Sequence, residues 1–468
     1  NAVAINKKRQ DPPPPTTPTF PTQYYYDQKL DHFNDTNTET FKQTYYFNSS
    51  FYKAGGPIFI HTAGEARAQP IYVFSTGISE LVASLNGLLV TIEHRFYGDS
   101  YPPSITDLSF DNIKNYLTID QSLNDFVNFI KNPPAELAIT DNAKAKWVFV
   151  GGSYAGNLAV WMRKLYPDVV FASYASSAPL LAKLDFFEYD QSIAKALSKC
   201  SQQVADVFKL IDPILLSGND TAILELKKLF GLQDLVDNSD FASALSSPIS
   251  DMVQYYLPAS PSFPIDTIKV YCDAFNQAPA TTTPFEIFVQ LTNYYFQLVG
   301  LNTTEAILKK FSTTDSLTLK IPNDLTSYTF QYCTELGYFQ VAPKPPLLSL
   351  RSQLNNNTYF QGQCNYLFPT LPPPNVNKTN EKFGGNDGVF SNTVFVNGDL
   401  DPWFALTVKN LKDNKVFIIK NGSHTNDLNF PTPSDSQSLI DSRVFVKETL
   451  SKWLNKKRDQ ILEAVCCA

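Results

Sequence analysis

The sequence predicts an α/β fold: a mostly parallel sheet whose chain is interrupted by a long inserted helical cap domain. Three observations predict it. Short apolar runs alternate with helical patterns over the first part of the chain. The pattern turns helical, with polar loops, from about 185 to 345. Strand character then returns at Asn392-Thr-Val-Phe-Val396 and Val416-Phe-Ile-Ile419. Alternation of buried strands with helices is the signature of parallel pairing. The interruption marks an insert. The expected division is a flexible Pro-rich arm at 1–23, a core from 24–184 and 386–460, and a helical cap at 185–385.

The elements follow in order. Pro12 to Pro15 and the surrounding threonines read as an extended arm. Within it, Lys7-Lys8-Arg9 is a candidate processing site or a solvated basic tail. Thr44-Tyr-Tyr-Phe47 has the composition of an edge strand. Pro57-Ile-Phe-Ile-His61 and Leu88-Leu-Val-Thr-Ile92 read as buried strands, as does Lys146-Trp-Val-Phe-Val150. The last of these runs into Gly151-Gly-Ser-Tyr-Ala-Gly156 and a helical pattern from Leu158 to Tyr166, ended by Pro167. Val169 to Phe171 and Ala172 to Pro179 give a further strand and turn. An amphipathic helix over about 436–455 closes the chain.

Composition sets the class. The chain has 468 residues, 43% hydrophobic and 13% aromatic. That supports a packed interior and excludes global disorder. A net charge of −7 gives no basic surface for nucleic acid. No apolar run of about 18 residues predicts a membrane span. The six cysteines form no CxxC or Cys/His cluster, so neither a metal nor any other cofactor is expected. Neighbour pairing joins Cys200 to Cys272 and Cys333 to Cys364, one of three connectivities open to four cysteines. Cys466 and Cys467 have no assigned role. Sequons at Asn34, Asn48, Asn219, Asn302, Asn356, Asn377 and Asn421, with the cysteines, favour the secretory route and glycosylation.

The chemistry centres on Ser153. A nucleophile elbow needs a strand, a sharp turn carrying Ser between small residues, and a helix. Gly151 and Ala155 flank Ser153, with Ala where Gly is usual. The chain has four histidines, and only His424 follows Ser153. In this architecture acid and base follow the nucleophile in that order. His424 lies in a loop after one strand, and Asn397-Gly-Asp-Leu-Asp-Pro-Trp403 ends the strand before it. Asp399 and Asp401 compete as the acid. Asp401 is favoured, because Pro402 stiffens its loop. Asp399 reads as a turn residue. Ser153 would attack a carbonyl, His424 would move the proton, and the carboxylate would orient the imidazole. The N–H groups of Tyr154 and Gly64 are the expected oxyanion donors. Trp403 is a candidate pocket wall and Glu335 a candidate anchor for a substrate amine. Tyr338, Phe339 and Tyr366 are core or pocket aromatics. Trp161 reads as core. Glu93-His-Arg-Phe-Tyr-Gly-Asp99 reads as an ion-pair network bracing the core, with His94 in it.

Gly151-Gly-Ser-Tyr-Ala-Gly156, Glu93-His-Arg-Phe-Tyr-Gly-Asp-Ser100, Asn397 to Trp403 and Gly422-Ser-His424 resemble one serine peptidase family, as do Asp31-His-Phe33 and Phe41-Lys-Gln-Thr-Tyr45. That family contains lysosomal Pro-X carboxypeptidase, dipeptidyl peptidase II and the fungal prolyl endopeptidases. The likeness spans about 27 to 455. Leu229-Phe-Gly-Leu232 and Cys272-Asp273 look most like the fungal branch. The resemblance implies an α/β-hydrolase core with a helical cap and cleavage after proline at acidic pH. It also implies Asp401 as the acid and Trp403 beside the proline. Thr425 stands where the Pro-X carboxypeptidases carry a second histidine. Glu65 is a further substrate-binding candidate, but Ala63-Gly-Glu65 stands where the dipeptidyl branch carries Asn-Glu-Gly, which counts against Glu65 binding a substrate amine. Both departures favour an endo- or oligopeptidase over the Pro-X carboxypeptidase and dipeptidyl modes. The expected partners are proline-containing peptides or proteins, with a monomer or homodimer that is secreted or lysosomal/vacuolar. The same triad also serves an esterase or lipase, and the fold serves non-catalytic binding proteins.

Overall fold

The computed structural model describes residues 22–257, 265–369 and 371–455. Most of the expected arm, Lys7-Lys8-Arg9, Cys466 and Cys467 lie outside the described residues.

Eight strands form one sheet. They are β1 (Tyr24–Lys29), β2 (Thr40–Asn48), β3 (Ile58–His61), β4 (Leu88–Ile92), β5 (Trp147–Gly152), β6 (Ala172–Ser176), β7 (Thr393–Gly398) and β8 (Lys415–Ile419). Their order is β1-β2-β4-β3-β5-β6-β7-β8. β1 and β2 pair antiparallel, as do β2 and β4. The remaining pairs are parallel. Thr44–Phe47, expected at an edge, is interior: β1 covers its outer side. The polar, aromatic composition of Tyr24–Lys29 carried no strand signal strong enough to reveal that cover.

The buried strands alternate between two cores. Ile58, Ile60, Leu88, Val90, Trp147 and Phe149 face one apolar cluster. Phe59, Leu89, Val148, Val150, Val394 and Val396 face the other. Period-two alternation with both faces apolar is why these runs read as continuous hydrophobic stretches. Helices α1 (Gly77–Ser84), α2 (Ile119–Lys131) and α3 (Ser153–Leu165) follow β3, β4 and β5. Thr76 caps α1 and forms a capping box with Ser79. α1 contributes Ile78 and Val82 to the second cluster. α2 and α3 cover the first face with Leu123, Phe126, Leu158 and Trp161.

The insert between β6 and β7 is helical among the described residues. It includes α4 (Asn238–Gln254) and α5 (Asp324–Gln331). Both disulfides lie in it: Cys200–Cys272, with Cα atoms 5.1 Å apart, and Cys333–Cys364, 5.6 Å apart. Its Phe208, Phe241 and Phe288 share one continuous apolar cluster with the sheet. Helix α6 (Gln437–Leu454), capped by Ser436, packs Leu439, Val446 and Leu450 on the opposite face.

One buried charge pair ties the antiparallel edge to α2. Arg95 is fully buried. Its Nε donates to Asp125 Oδ2 at 2.7 Å and its Nη2 to Oδ1 at 2.5 Å. The remaining donors go to the carbonyls of Lys29, Leu30 and Tyr116. His32 Nε2 lies 2.8 Å from Asp125 Oδ1. Burial opposes the charge on Asp125, but Arg95 outweighs it and holds the carboxyl below its ordinary value. His94 is not part of an ion pair. Its ring bonds Arg95 O at 2.7 Å and Tyr154 Oη at 3.3 Å, and burial pushes its pKa down to about 4.

Asp125→Asn would leave the Arg95 guanidinium buried without its counter-charge. We expect a loss of about 3–5 kcal/mol in urea-denaturation free energy. A loss under about 1 kcal/mol would show that the carbonyls alone satisfy Arg95.

Candidate active site

The topology places the site. From β3 the chain goes to β4 on one side, and β5 then lies on the other side of β3. Loops leaving the carboxyl ends of two strands diverge at such a switch point and leave a crevice. His61 of β3 is paired with Val150 of β5, so the Thr62–Glu65 turn and the Ser153 turn leave the sheet side by side.

Ser153 has φ +54°, in the left-handed region. It begins α3, so the N–H of Tyr154 is one of the orphan donors of that helix terminus. The turn is closely packed. A Cβ on Gly151 would lie 2.2 Å from Ala155 O, and one on Gly152 would lie 2.9 Å from Thr425 Cγ2. Gly64 has φ +67°, and a Cβ there would lie 3.3 Å from Ala155 Cβ. Glycine at 64 therefore makes room for the alanine at 155. The Gly64 amide is turned to Thr62 Oγ1 at 3.3 Å, a long bond within its own turn.

The loops after β7 and β8 bring an acid and a base together. His424 Nδ1 lies 3.0 Å from both carboxylate oxygens of Asp401. Asp401 is buried, and its Oδ1 accepts from Trp403 N at 2.9 Å. Asp399 has no bond to His424, and its buried Oδ1 has no partner among the described residues. Thr425 packs on Gly152, and its N–H donates to Ser177 Oγ at 3.0 Å. Asp427 accepts from Ser176 Oγ at 2.6 Å and from Tyr174 Oη. The histidine loop is thus tied to the elbow and to β6.

Trp403 stands beside this pair. Its ring centroid is 6.3 Å from that of His424, 5.3 Å from Phe186, 5.6 Å from Tyr189 and 5.4 Å from Tyr338. Tyr338 accepts from Asn157 Nδ2 at 3.0 Å and donates to Pro179 O. Glu65, in the turn after β3, is half-buried. Burial raises its carboxyl pKa, and a hydrogen bond from its own backbone and then the charge of His424 draw it back. Tyr72, Tyr97, Tyr154, Tyr255, Tyr328 and Tyr338 all feel its charge.

Two expected substrate contacts have protein partners of their own. Glu335 Oε2 accepts from Ile119 N at 3.0 Å, at the start of α2. Glu335 thus caps the start of α2, while its charge also reaches Tyr154 beside Ser153. Tyr366 is 48% exposed, and its hydroxyl donates to Thr314 O. It lines a surface groove of about 1260 Å³ with Asp237, Asp240 and Tyr359, on the cap. Its position on the exposed side of the 357–367 helix accounts for this.

Other residues came without a sequence signal. Tyr154 Oη accepts from Gln331 Nε2 of α5 at 2.8 Å, and Gln331 Oε1 accepts from Tyr97 Oη. Gln254, at the end of α4, accepts on its backbone oxygen from His424 N at 3.1 Å. Glu93 accepts from the N–H groups of Ala68 and Asp99 and from Ser100 Oγ, each at 2.8 Å, so it braces the turn that carries Glu65. Glutamines on amphipathic helices carry no local mark of such long-range contacts. Six sequon asparagines are exposed, whereas Asn48 is half-buried and donates its amide to Val73 O at 2.9 Å. No cluster that would hold a metal occurs among the described residues.

The profile of the serine carboxypeptidase S28 family matches residues 28–446. The chain is 31% identical over 452 residues to a Caenorhabditis elegans protein whose name assigns it provisionally to the serine proteases. That match covers 92% of this chain and 87% of the other. It is 28% identical over 457 residues to the mouse thymus-specific serine protease, covering 93% of this chain and 88% of that one. It is also 28% identical over 487 residues to an Arthroderma benhamiae protein provisionally named an extracellular serine carboxypeptidase, covering 90% and 66%. The fold, the order of the site loops and a match over most of the length agree: this chain belongs to the serine carboxypeptidase S28 family and is a serine peptidase.

Proposed function

We propose that the chain cleaves peptide bonds after proline by an acyl-enzyme mechanism at acidic pH, as an endo- or oligopeptidase. The observation that carries the reading is the aromatic wall of Trp403, Phe186, Tyr189 and Tyr338 beside the His424–Asp401 pair. A pyrrolidine ring is compact and apolar, and a flat indole face with edge-on aromatic neighbours accepts it.

Ser153 Oγ attacks the scissile carbonyl while His424 Nε2 takes its proton. Asp401 holds Nδ1–H and stabilises the imidazolium. The N–H of Tyr154 receives the developing oxyanion. The Ala63–Glu65 turn supplies the second donor, since the Gly64 amide is held only by its 3.3 Å contact. His424 then protonates the leaving amine, and the C-terminal fragment departs. Water loses a proton to His424, attacks the acyl carbon and restores Ser153.

Acid operation is supported by buried carboxyls. Burial raises Glu65, Glu93, Asp190, Asp427 and Glu335, the last to about 7. A raised carboxyl contributes stability in full below its unfolded value and loses it as pH rises through the folded value. Buried His61 and His94, both pushed down to about 4, act in the opposite sense between 6.5 and 4. The two disulfides and the exposed sequons support a secreted or lysosomal/vacuolar location. No helix among the described residues is long and apolar enough to cross a membrane.

A second reading, dipeptidyl release, is favoured by Glu65. A half-buried carboxylate beside His424 suits a free substrate amine.

Turnover of Z-Gly-Pro-anilide is expected to exceed that of Z-Gly-Ala-anilide by at least about 100-fold in kcat/KM, with Ser153→Ala abolishing both. Equal turnover of the two, or efficient cleavage of short nitrophenyl esters without proline preference, would sink the proline reading. Faster cleavage of unblocked Gly-Pro-anilide than of the Z-blocked form would select the dipeptidyl mode. Thermal melts across pH test the carboxyl account. Glu335→Gln should match the wild type below pH 4.5 and melt higher above pH 7, because only the wild type then carries the buried charge. Parallel curves would refute it.

A further inference from the structure

Helix α4 delivers its last residue, Gln254, into the site. The final carbonyls of a helix have no partner within it. Here the Gln254 carbonyl accepts from His424 N at 3.1 Å and from Ser423 Oγ at 2.9 Å, and the Val253 carbonyl accepts from Ser423 Oγ at 2.5 Å. The side chain is equally engaged. Gln254 Oε1 accepts from Trp403 Nε1 at 3.1 Å and from Tyr189 Oη at 2.7 Å. Its Nε2 donates to Tyr255 Oη at 3.0 Å.

The consequences for Trp403 are geometric. Ring packing against Phe186, Tyr189 and Tyr338 limits where the indole sits but leaves rotation in its plane weakly opposed. A hydrogen bond at Nε1 is directional and opposes it. The same oxygen fixes Tyr189, one wall of the box. One cap side chain therefore sets two rings, while its backbone holds the histidine loop.

We propose that Gln254 is a positioning residue that fixes the Trp403 indole and so sets the preference for the residue preceding the cleaved bond. The inference rests on the proline reading above. It separates binding from chemistry. Substituting the side chain leaves the backbone carbonyl on His424 and removes the acceptor from Trp403 and Tyr189. The loss falls on KM rather than kcat.

The test uses the full chain and two substitutions. Gln254→Met keeps length and removes both polar groups. Gln254→Glu keeps the acceptor. Gln254→Met should raise KM for Z-Gly-Pro-anilide about tenfold or more, the cost of leaving an indole N–H unpaired. Its kcat should stay within about threefold, and the proline-over-alanine ratio should fall in step. Gln254→Glu should keep that ratio within about threefold, because a carboxylate accepts as an amide does. Gln254→Ala repeats the measurement should the methionine variant not fold. An unchanged ratio in Gln254→Met, or a fall in kcat at constant KM, would overturn the inference.

A second readout does not depend on substrate. The spectrum of Trp403 is the fluorescence difference between the wild type and Trp403→Phe. The same difference taken on the Gln254→Met background should shift in wavelength. An unshifted spectrum refutes the contact even if no proline substrate is cleaved. A shift with no proline cleavage upholds the contact and refutes the proline reading instead.

Discussion

The site depends on one backbone constraint. Ser153 must turn with positive φ between a buried strand and the helix that covers it. A non-glycine residue in that region is strained by about 1–3 kcal/mol and persists only where its surroundings fix it. Here they do. Gly151 has no room for a Cβ against Ala155, Gly152 has none against the histidine loop, and Gly64 leaves the space that Ala155 fills. The turn also leaves the first N–H groups of α3 without partners inside the helix. The strained serine and the unpaired helix-start donors are therefore two results of one local geometry.

That geometry explains what could be read from the chain. The elbow and the order of its partners are local patterns. A strand, a glycine-flanked serine and a later histidine identify themselves by spacing. The continuous apolar runs Ile58 to Ile60 and Trp147 to Val150 mark buried strands in the same way. Asp401 over Asp399 was legible from Pro402 and Trp403, and the 3.0 Å contacts to His424 lie at Asp401. The neighbour pairing of Cys200 with Cys272 and of Cys333 with Cys364 was also within reach, because each pair lies within one helical unit.

Long-range choices were not legible. Glu335 looked like a ligand because an isolated glutamate near aromatic residues gives no sign that a distant helix start awaits it. Tyr366 looked like a pocket wall because helical periodicity does not say which side meets the core. The edge assigned to Thr44–Phe47 failed because β1 precedes it with mixed composition. Gln331 and Gln254 gave no signal at all. Their meaning lies in which loop each helix end meets, and that is decided by packing between segments far apart in the chain.

The shared apolar cluster has a consequence for access. Residues of the cap and of the sheet form one unbroken core. Lifting the cap as a hinged lid would expose that surface to water, at roughly 25 cal/mol per Å² of apolar area. Cap and sheet therefore hold one hydrophobic interior in common rather than two separable ones.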